Sequence, residues 1–433
     1  MRPSLFLPHL LSLAGYRVSA FPTNILETIL KQSRENVHGG VSQALSQLIF
    51  AKKQAPDTVA PFDAKKQYVS TQGKHAFVPP NNSDKRGPCP GLNAMANHGY
   101  IPRNGIATIH EIVSGSMDVF GMGADLATFL AIYGAVFDGD LTSFSIGGPP
   151  PSLLDLGNLL GGPQGLSGSH NKYEGDASPV YGDLYQYGNN LPQVSQFTSL
   201  YELGRANGDS VDLGVLEKYR VQRFEQSVAN NPYFFYAPFS GIIVNTGAYI
   251  FIYRFMANKS AENPEGLLGG ETLKSFFAVT GDYPHFTVKP GHERIPDNWY
   301  KRHPVDYYTI PYLTADGLAV ALRYPQFLSV GGNTGTTNSF VGVDPADLTN
   351  GVYNATSLLK GNNAFCFGMQ LVPQMAPDLL SGLYNDITNA LSTLTSAVDN
   401  ATSGLGCPQL SGINKKKLTK FPGYTKLNPN GIY

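Results

Sequence analysis

A cysteine between two prolines, Pro88-Cys89-Pro90, restricts the local fold of this 433-residue chain more than any other feature. The two prolines keep Cys89 out of the α conformation, and Pro90 suits the first position of a helix. We therefore expect Cys89 at a helix N-cap, with the free N–H groups of residues 91 to 93 facing its sulfur. These donors and the helix dipole favour a thiolate, which suits an axial ligand of haem iron. A buried structural cysteine is the alternative.

The residues around this cysteine form a longer pattern. From Pro88 to Gly105 the chain reads Pro-Cys-Pro, then Leu-Asn-Ala, Asn-His-Gly-Tyr and Pro-Arg-Asn-Gly. This pattern resembles the proximal segment of the fungal haem-thiolate peroxidases, the chloroperoxidases and the unspecific (aromatic) peroxygenases. A looser similarity runs from about Gly87 to Cys407. The resemblance implies that Cys89 binds the iron of haem b.

The composition excludes several other classes of protein. Lys and Arg number 31 against 32 Asp and Glu, so no net field attracts nucleic acid or an anionic membrane. An apolar run of 18 residues free of charge does not occur, so we expect no membrane span. Charged residues make up only 15%, with 47 Gly and 31 Pro, which indicates long ordered loops. The expected partners are a small-molecule substrate and hydrogen peroxide, and the chain is expected to be a monomer or a homodimer.

The N-terminus predicts export. Within residues 1–20, Arg2 supplies a positive charge, Ser4 to Gly15 an apolar stretch, and Val18-Ser19-Ala20 a cleavage site for a secretory signal. A short disordered leader is the alternative. Asn-x-Ser/Thr sites agree with a secreted, extracellular protein or one of a secretory-pathway compartment. These glycosylation candidates are Asn81, Asn258, Asn354 and Asn400.

Apolar residues at helical spacing dominate the chain and predict its organisation. Helices are expected at 41–53, after Thr108, at 126–137, after Asp212, at 239–256 and at 378–398. The helix at 239–256 is apolar on nearly all sides and should be buried, whereas strand signals are limited to runs such as 286–288. The fold class is therefore mainly α, a single helical haem-peroxidase-like domain with long Gly/Pro-rich loops and little strand. Its expected parts are an N-terminal extension with a helix (21–80), the domain (81–410) and a C-terminal tail (411–433).

A second motif, Glu174-Gly175-Asp176-Ala177-Ser178, gathers oxygen donors that suit a hard cation. Taken alone, it is more typical of a surface turn than of a metal site. It resembles the Glu-Gly-Asp-x-Ser segment of the long peroxygenases. That resemblance implies that Glu174, the Gly175 carbonyl and Ser178 hold Mg²⁺ beside a haem propionate, whereas a His in place of Gly175 is typical of the Mn²⁺-binding chloroperoxidases. Tyr173 takes the position of a phenylalanine that faces the substrate channel in the family.

The third motif departs from the family. Peroxygenases carry an Arg, and seven residues later a Glu, on a distal helix after an Asn-Pro-x-Phe segment. Counting from residues 231–234, these positions fall at about Ser240 and Gly247, and no Asp or Glu lies between residues 239 and 257. Catalytic residues are therefore not assigned, and Thr246 or Asn245 is a candidate to hold a water. The missing Glu has two alternative explanations. Either an acid from another loop supplies the proton, or the chain has lost ordinary peroxide cleavage.

The three cysteines leave one unpaired if the other two form a disulfide. If Cys89 binds iron, Cys366 and Cys407 remain, and the peroxygenases that the chain resembles have a C-terminal disulfide of similar span. We therefore expect Cys366 and Cys407 to pair, with two buried free thiols as the alternative.

Three functions are compatible with these features. The first is a secreted haem-thiolate peroxidase or peroxygenase that uses hydrogen peroxide to oxidise or oxygenate a small apolar or aromatic compound, with Tyr173, Phe235 and Phe239 lining its pocket. The second is a haem-thiolate biosynthetic enzyme with non-peroxide chemistry, such as isomerisation, cyclisation or the handling of a substrate hydroperoxide. The third is a catalytically weak haem-binding protein.

Overall fold

The computed structural model describes residues 60–151, 164–187 and 191–425. The predicted signal peptide and the predicted helix at 41–53 lie outside these ranges. Of the described residues, 48% are helical and 9% are in strands, which confirms the mainly α fold class. Their buried apolar side chains form one continuous cluster, as expected for a single domain.

Helices follow one another along most of the described chain. Those before the middle of the chain are α1 (Ala64–Gln67), α2 (Pro90–Asn97), α3 (Ile109–Phe120), α4 (Ala124–Asp138), α5 (Leu184–Tyr187), α6 (Val194–Ala206) and α7 (Leu213–Asn230). The later ones are α8 (Thr246–Met256), α9 (Gly270–Phe276), α10 (Ile310–Arg323), α11 (Pro345–Leu348), α12 (Ala355–Leu358), α13 (Asn363–Leu379), α14 (Thr388–Thr402) and α15 (Pro422–Thr425). Short 3₁₀ turns occupy Gly73–His75, Leu166–Gly168, Pro325–Leu328 and Lys415–Lys417.

Strands are short and form three small antiparallel sheets. They are β1 (Ile106–Thr108), β2 (Ser143–Ser145), β3 (Phe235–Tyr236), β4 (Val279–Asp282), β5 (His285–Val288), β6 (Gly331–Gly332) and β7 (Val341–Gly342). In the first sheet β1 pairs with β2, in the second β6 pairs with both β3 and β7, and in the third β4 pairs with β5. The strand expected at 286–288 is therefore present as part of β5.

Two groups of helices enclose the centre of the molecule. In one group α4 packs between α3 and α14, and α3 begins at the expected capping box, in which Thr108 and Glu111 bond each other's backbone N–H. In the other group α8 packs against α7, α9 and α10. The short helix α2, which begins after Cys89, contacts α9 and thereby faces the centre.

The apolar stretch expected to form one buried helix has an irregular start. Residues Ser240–Asn245 form a π-helical turn that runs directly into α8, so the predicted helix exists, with a changed register in its first part. Single π turns inside helices are uncommon and often mark functional sites. Here the turn shifts which side chains face the centre of the molecule, and it is called the distal turn below.

The C-terminal region differs from two expectations. The single helix expected at 378–398 is wrong, because α13 ends at Leu379 and α14 begins at Thr388. The expected tail is also packed in part: Leu418 and Phe421 are fully buried, and the Tyr424 hydroxyl donates to Asp378 at 3.0 Å. Apolar residues interleaved with the lysines of this segment account for its packing. The predicted disulfide between the cysteines at 366 and 407 is confirmed.

Candidate active site

A cavity of about 210 Å³ lies between α2 and α8, and it brings together residues from all three sequence motifs. Cys89 lines one side, the turn that holds Glu174 lines another, and Ser240 and Gly247 line the side formed by the distal turn and α8. Most of the remaining lining is apolar, with Phe, Leu, Ile, Val and Met side chains. Such a cavity, largely apolar with a few convergent polar groups, is the usual form of a small-molecule or cofactor site.

The cysteine stands where its two prolines predict. Cys89 is the N-cap of α2 with extended backbone angles, and Pro90 is the first helical residue. Gly91 also lines the cavity, and a Cβ at this position would lie 3.2 Å from the Phe120 ring. The missing side chain therefore lets Phe120 pack closely and leaves the helix surface low beside the sulfur.

Burial of the sulfur outweighs the expected stabilisation of the Cys89 thiolate by the helix start. Burial raises the pKa of the Cys89 thiol to about 12, while the N–H groups of Leu92 and Gly91 oppose the rise without forming a regular capping hydrogen bond. The charges of Glu174 and Glu293 add to the increase in this pKa. The thiolate form of Cys89 therefore depends on a cation bound at the sulfur, because a coordinated thiol loses its proton.

An asparagine four residues further on holds the cysteine loop in place. Both hydrogen-bonding groups of the buried Asn93 amide engage Gly87: its Oδ1 accepts from the Gly87 N–H at 3.0 Å, and its Nδ2 donates to the Gly87 carbonyl at 2.8 Å. A Cβ at Gly87 would lie 2.2 Å from the Ile146 carbonyl oxygen, so no larger residue fits. These contacts fix the chain just before Cys89.

The rest of the first motif also has a structural role. Asn97 accepts from the Arg86 Nε at 2.9 Å and donates to the backbone of the segment at 291–293. The His98 ring is buried, which lowers its pKa, and its Nε2 accepts from the Ile295 N–H at 3.2 Å. Arg103 donates to the carbonyl of Asn97. The motif is therefore a set of buried contacts that position α2.

The second motif presents oxygen atoms to the cavity. Glu174, Gly175 and Ser178 all line it, and Glu174 is the one carboxylate among the described lining residues. Burial and the nearby charge of Asp138 raise the pKa of Glu174 well above its usual range. A bound cation would favour the ionised form, and a carboxylate, a carbonyl and a hydroxyl are suitable ligands for Mg²⁺. No cluster of three His, Cys, Asp or Glu side chains occurs among the described residues, so other oxygens would complete the shell.

The aspartate of this motif points away from the cavity and links the second motif to the third. The Asp176 carboxylate accepts from the Asn231 Nδ2 at 2.8 Å and from the Leu184 N–H at 3.0 Å. Asn231 begins the Asn-Pro segment at 231–234, which is the reference for assigning the distal positions Ser240 and Gly247. The sequence alone did not reveal this link, because the two residues lie 55 positions apart.

The loop after Glu174 is held in an unusual conformation by the distal side. Ala177 has a φ of 58°, in the left-handed region that favours glycine. Its carbonyl accepts from the Tyr249 hydroxyl at 2.8 Å and from the Asn245 Nδ2 at 3.1 Å. Non-glycine residues in this region persist where their surroundings determine the backbone, often near functional sites.

A buried arginine that the sequence analysis missed supports Asn245. Arg220 of α7 donates from its Nε to the Asn245 Oδ1 at 2.9 Å and also bonds the Tyr236 hydroxyl. Its guanidinium lies 3.9 Å over the Phe327 ring, and no described carboxylate forms an ion pair with it. Because Asn245 lines the cavity, this charge is one side chain away from it. No sequence motif pointed to Arg220, because its partner Asn245 lies 25 positions further along the chain.

The distal wall carries no acid. Ser240 and Gly247, the positions counted for the family's Arg and Glu, both line the cavity. Thr246 does not: its side chain faces two smaller cavities behind the helix and donates to the Ile242 carbonyl at 2.5 Å, so it is not placed to hold a water in the main cavity. Arg254 pairs with Asp316 at 2.8 Å, outside the described lining.

Two of the three aromatic residues expected in the pocket lie elsewhere. Tyr173 lines the cavity, and its hydroxyl donates to the Leu130 carbonyl at 3.2 Å. Phe235 is not among the described lining residues and packs on Phe421, with ring centroids 5.7 Å apart. Phe239 packs on the Tyr133 ring at 4.3 Å in the core, outside the described lining. Phe235 belongs to strand β3, and Phe239 is the residue that precedes the distal turn, so neither ring lies on the helical face that lines the cavity.

Comparison with known proteins agrees with this site. Residues 75–304 match the family "Peroxidase, family 2". The chain is 44% identical over 395 residues to the dothistromin biosynthesis peroxidase dotB of Dothistroma septosporum, covering 90% of this chain and 94% of that protein. It is 39% identical over 441 residues to the aromatic peroxidase fscJ of Fusarium equiseti, covering 97% and 98%. An aromatic peroxygenase of Coprinellus radians is 34% identical over 206 residues, covering 45% and 75%.

The helical fold and the cysteine-lined cavity define a haem-thiolate peroxidase-like enzyme. The chain belongs to peroxidase family 2, which includes chloroperoxidases and aromatic peroxygenases, and it is a peroxide-using oxidoreductase. Haem is the cofactor that this family implies. The described residues fit it, because a cysteine sulfur at a helix start faces an apolar cavity beside Gly91, which presents no side chain.

Proposed function

We propose that this enzyme uses hydrogen peroxide to oxidise or oxygenate a small apolar or aromatic compound bound in the cavity between α2 and α8. The observation that carries the proposal is the shared lining: Cys89 and a largely apolar wall enclose the same space. Of the three functions compatible with the sequence, family membership supports this one. When bound, haem with a thiolate ligand supplies the cleavage of the peroxide O–O bond.

The residues around the cavity have separate tasks in this proposal. Cys89 would hold the iron of haem b from its position at the N-cap of α2. Apolar side chains of α8, among them Phe251 and Phe255, would bind an apolar substrate and exclude water. Tyr173, whose hydroxyl is engaged by the Leu130 carbonyl, would present its ring to the substrate.

A cavity-filling substitution tests where the substrate binds. Ala248 lines the cavity on α8, so Ala248→Phe should lower kcat/KM for a small aromatic substrate in a peroxide-dependent assay. The matched control is Ala206→Phe, because Ala206 is exposed at the end of α6. Equal loss in both variants, or no loss in Ala248→Phe at unchanged haem content, would argue against oxidation in this cavity. A wild-type protein inactive with peroxide and small aromatics would contradict the proposed function itself.

We also propose that Glu174, the Gly175 carbonyl and Ser178 bind Mg²⁺ beside the cofactor. The support is their common position on the cavity wall and the raised pKa of Glu174, which a cation would offset. Glu174→Gln keeps the shape and removes the charge, so it should lower the bound Mg²⁺ per chain and the haem content together. Glu225→Gln, an exposed position outside the described cavity lining, is the matched control. Freshly purified wild-type holoprotein without a bound divalent metal would contradict this assignment.

Secretion and glycosylation are further proposals. The disulfide is typical of oxidising compartments. In the described part of the chain, no helix is both long and apolar enough to cross a bilayer. Asn81, Asn354 and Asn400 are exposed, whereas Asn258 is half-buried and accepts from the Tyr300 N–H at 2.9 Å. Mass spectrometry of the protein from its natural host should find cleavage after Ala20 and glycans at the three exposed asparagines first. An intact N-terminus would contradict the signal peptide.

A further inference from the structure

One route of redox-active side chains leads from the cavity to the surface. Trp299, the only tryptophan of the chain, is fully buried directly behind the cavity wall. Its ring lies 6.2 Å from the ring of Phe120, and its Nε1 donates to the Met256 carbonyl at 2.9 Å. Phe120 and Met256 both line the cavity. A single layer of residues therefore separates the indole from the proposed cofactor space.

The route continues through two tyrosines. Tyr300 follows Trp299 in sequence, so their Cα atoms are about 3.8 Å apart. The Tyr300 ring lies 5.7 Å from the Tyr68 ring, and the two residues form an antiparallel backbone bridge. A hydrogen bond from the Val69 N–H to the Trp299 carbonyl, 3.2 Å long, holds the same pair of segments together. Tyr68 is 40% exposed, so the route ends in solvent.

Other aromatic contacts of the cavity wall lead to less exposed rings. The ring of Phe255 lies 5.3 Å from that of Tyr308, which lies 5.5 Å from that of Tyr312. Tyr312 is only half-buried, but its hydroxyl donates to Asp306, whereas Tyr68 is exposed. Tyr173 contacts Tyr133 at 5.2 Å, but Tyr133 is fully buried. Phe277 leads to Phe197 at 6.1 Å, and phenylalanine is much harder to oxidise than tryptophan or tyrosine. The order Trp299, Tyr300, Tyr68 instead connects oxidisable residues from the buried wall to the surface, first by a peptide bond and then by a ring contact.

We propose that Tyr68 is a second site of oxidation, joined to the cavity by Trp299 and Tyr300, where the enzyme oxidises phenols too large to enter the cavity. The proposal rests on the proposed function, because peroxide supplies the oxidising equivalents. One H₂O₂ accepts two electrons and two protons and becomes two water molecules. Two phenol molecules each lose one electron and one proton and leave as phenoxyl radicals.

Within the chain the electron moves inward and the proton stays near the surface. An electron passes from Tyr68 through Tyr300 to oxidised Trp299, whose N–H remains bonded to the Met256 carbonyl. The Tyr68 phenol releases its proton to solvent. An external phenol then gives one electron and one proton to Tyr68 and restores it, so that each transfer is balanced.

The first test locates the radical without measuring turnover. Holoenzyme treated with one equivalent of H₂O₂ and a nitroso spin trap, then mapped by peptide mass spectrometry, should carry an adduct on Tyr68. Trp299→Phe and Tyr300→Phe should each lose this adduct. Tyr185→Phe is the control, because Tyr185 is 46% exposed and its ring pairs with Tyr233 away from this route. An adduct on Tyr68 that persists in both route variants would overturn the proposal.

The second test separates the surface site from the cavity. The probes are phenol itself and phenol groups attached directly to agarose beads. In Tyr68→Phe, a surface change that leaves the core intact, peroxide-dependent oxidation of the beads should fall by about tenfold or more while oxidation of free phenol is unchanged. Unchanged bead oxidation would overturn the surface site alone. A wild-type protein that does not oxidise free phenol with peroxide would overturn both the proposed function and this inference.

Discussion

At the scale of single residues, the first motif is dominated by contacts that hold one loop. Asn93 uses both ends of its amide on Gly87, and a side chain at Gly87 would collide with a carbonyl oxygen. Cys89 is thus positioned by buried polar groups as well as by its two prolines. Buried hydrogen-bonded groups of this kind are difficult to replace, because each lost partner leaves another group unsatisfied.

Asn93→Ala should therefore reduce stability and cofactor retention together. It leaves the Gly87 N–H and carbonyl buried without partners, which should lower the free energy of unfolding by about 2–4 kcal/mol. Urea unfolding and haem content per chain are the measurements. Asn82→Ala is the control, because Asn82 is exposed. Haem content equal to the wild type in Asn93→Ala would show that this amide does not position the cysteine loop.

At the scale of elements, the distal turn and α8 decide which groups reach the substrate. Arg220, Asn245 and the Ala177 carbonyl form one connected set of hydrogen bonds. This set joins α7, the distal turn and residues 171–178, which contain the proposed Mg²⁺ ligands and are called the metal-candidate loop here. Ser240 and Gly247 face the cavity without an ionisable group. This wall is rigidly held, yet it lacks the carboxylic acid that moves a proton on bound peroxide in related enzymes.

Gly247→Glu should consequently raise the rate of reaction with peroxide, alone or with Ser240→Arg. A positioned general acid–base group contributes typically about 10²–10⁴-fold. A Cβ at Gly247 would lie 3.3 Å from the end of the Phe251 ring, so a small shift of that side chain is needed. Stopped-flow mixing with peroxide is the measurement, and Gly247→Gln is the control of equal shape. A fast wild-type reaction that Glu174→Gln abolishes would place the acid on the other wall.

The C-terminal segment belongs to the same scale, since it reaches the metal-candidate loop. Phe421 packs on Phe235, and the Gly423 carbonyl accepts from the Asn171 Nδ2 at 3.2 Å. Phe421→Ala should lower the free energy of unfolding by about 3–5 kcal/mol, as for other buried aromatic residues. Chemical denaturation measures this, with the exposed Lys416→Ala as the control. A change below about 0.5 kcal/mol, the usual size for surface substitutions, would show a loose tail after all.

The sequence predicted the elements better than the contacts between them. Helix starts at Thr108 and Asp212 follow from local capping, so they could be read from neighbouring residues. The distal turn, by contrast, changes the helical register through tertiary packing. Phe239 packs on Tyr133 and Arg220 donates to Asn245, and helical periodicity does not reveal either contact. Asn231 and Asp176 meet across 55 positions, a distance that no local pattern encodes.

At the scale of the whole molecule, one continuous core holds the described helices together, and one disulfide cross-links the C-terminal part. The disulfide joins α13 to the segment after α14 across 41 positions. In the loop-entropy model, closing a loop of this size stabilises the fold by about 4 kcal/mol. Cys366→Ala with Cys407→Ala should lower the free energy of unfolding by up to this amount. Peptide mapping that finds either cysteine alkylated without reduction would contradict the pairing.

The spectrum of the reduced carbon monoxide complex tests most directly whether Cys89 is the ligand of haem iron. The wild-type protein should show the long-wavelength Soret band that is typical of thiolate-ligated haem. Cys89→Ala should lose this band, and Cys89→His should replace it with the band of an imidazole-ligated haem. An unchanged thiolate-type spectrum in Cys89→Ala would contradict the assignment.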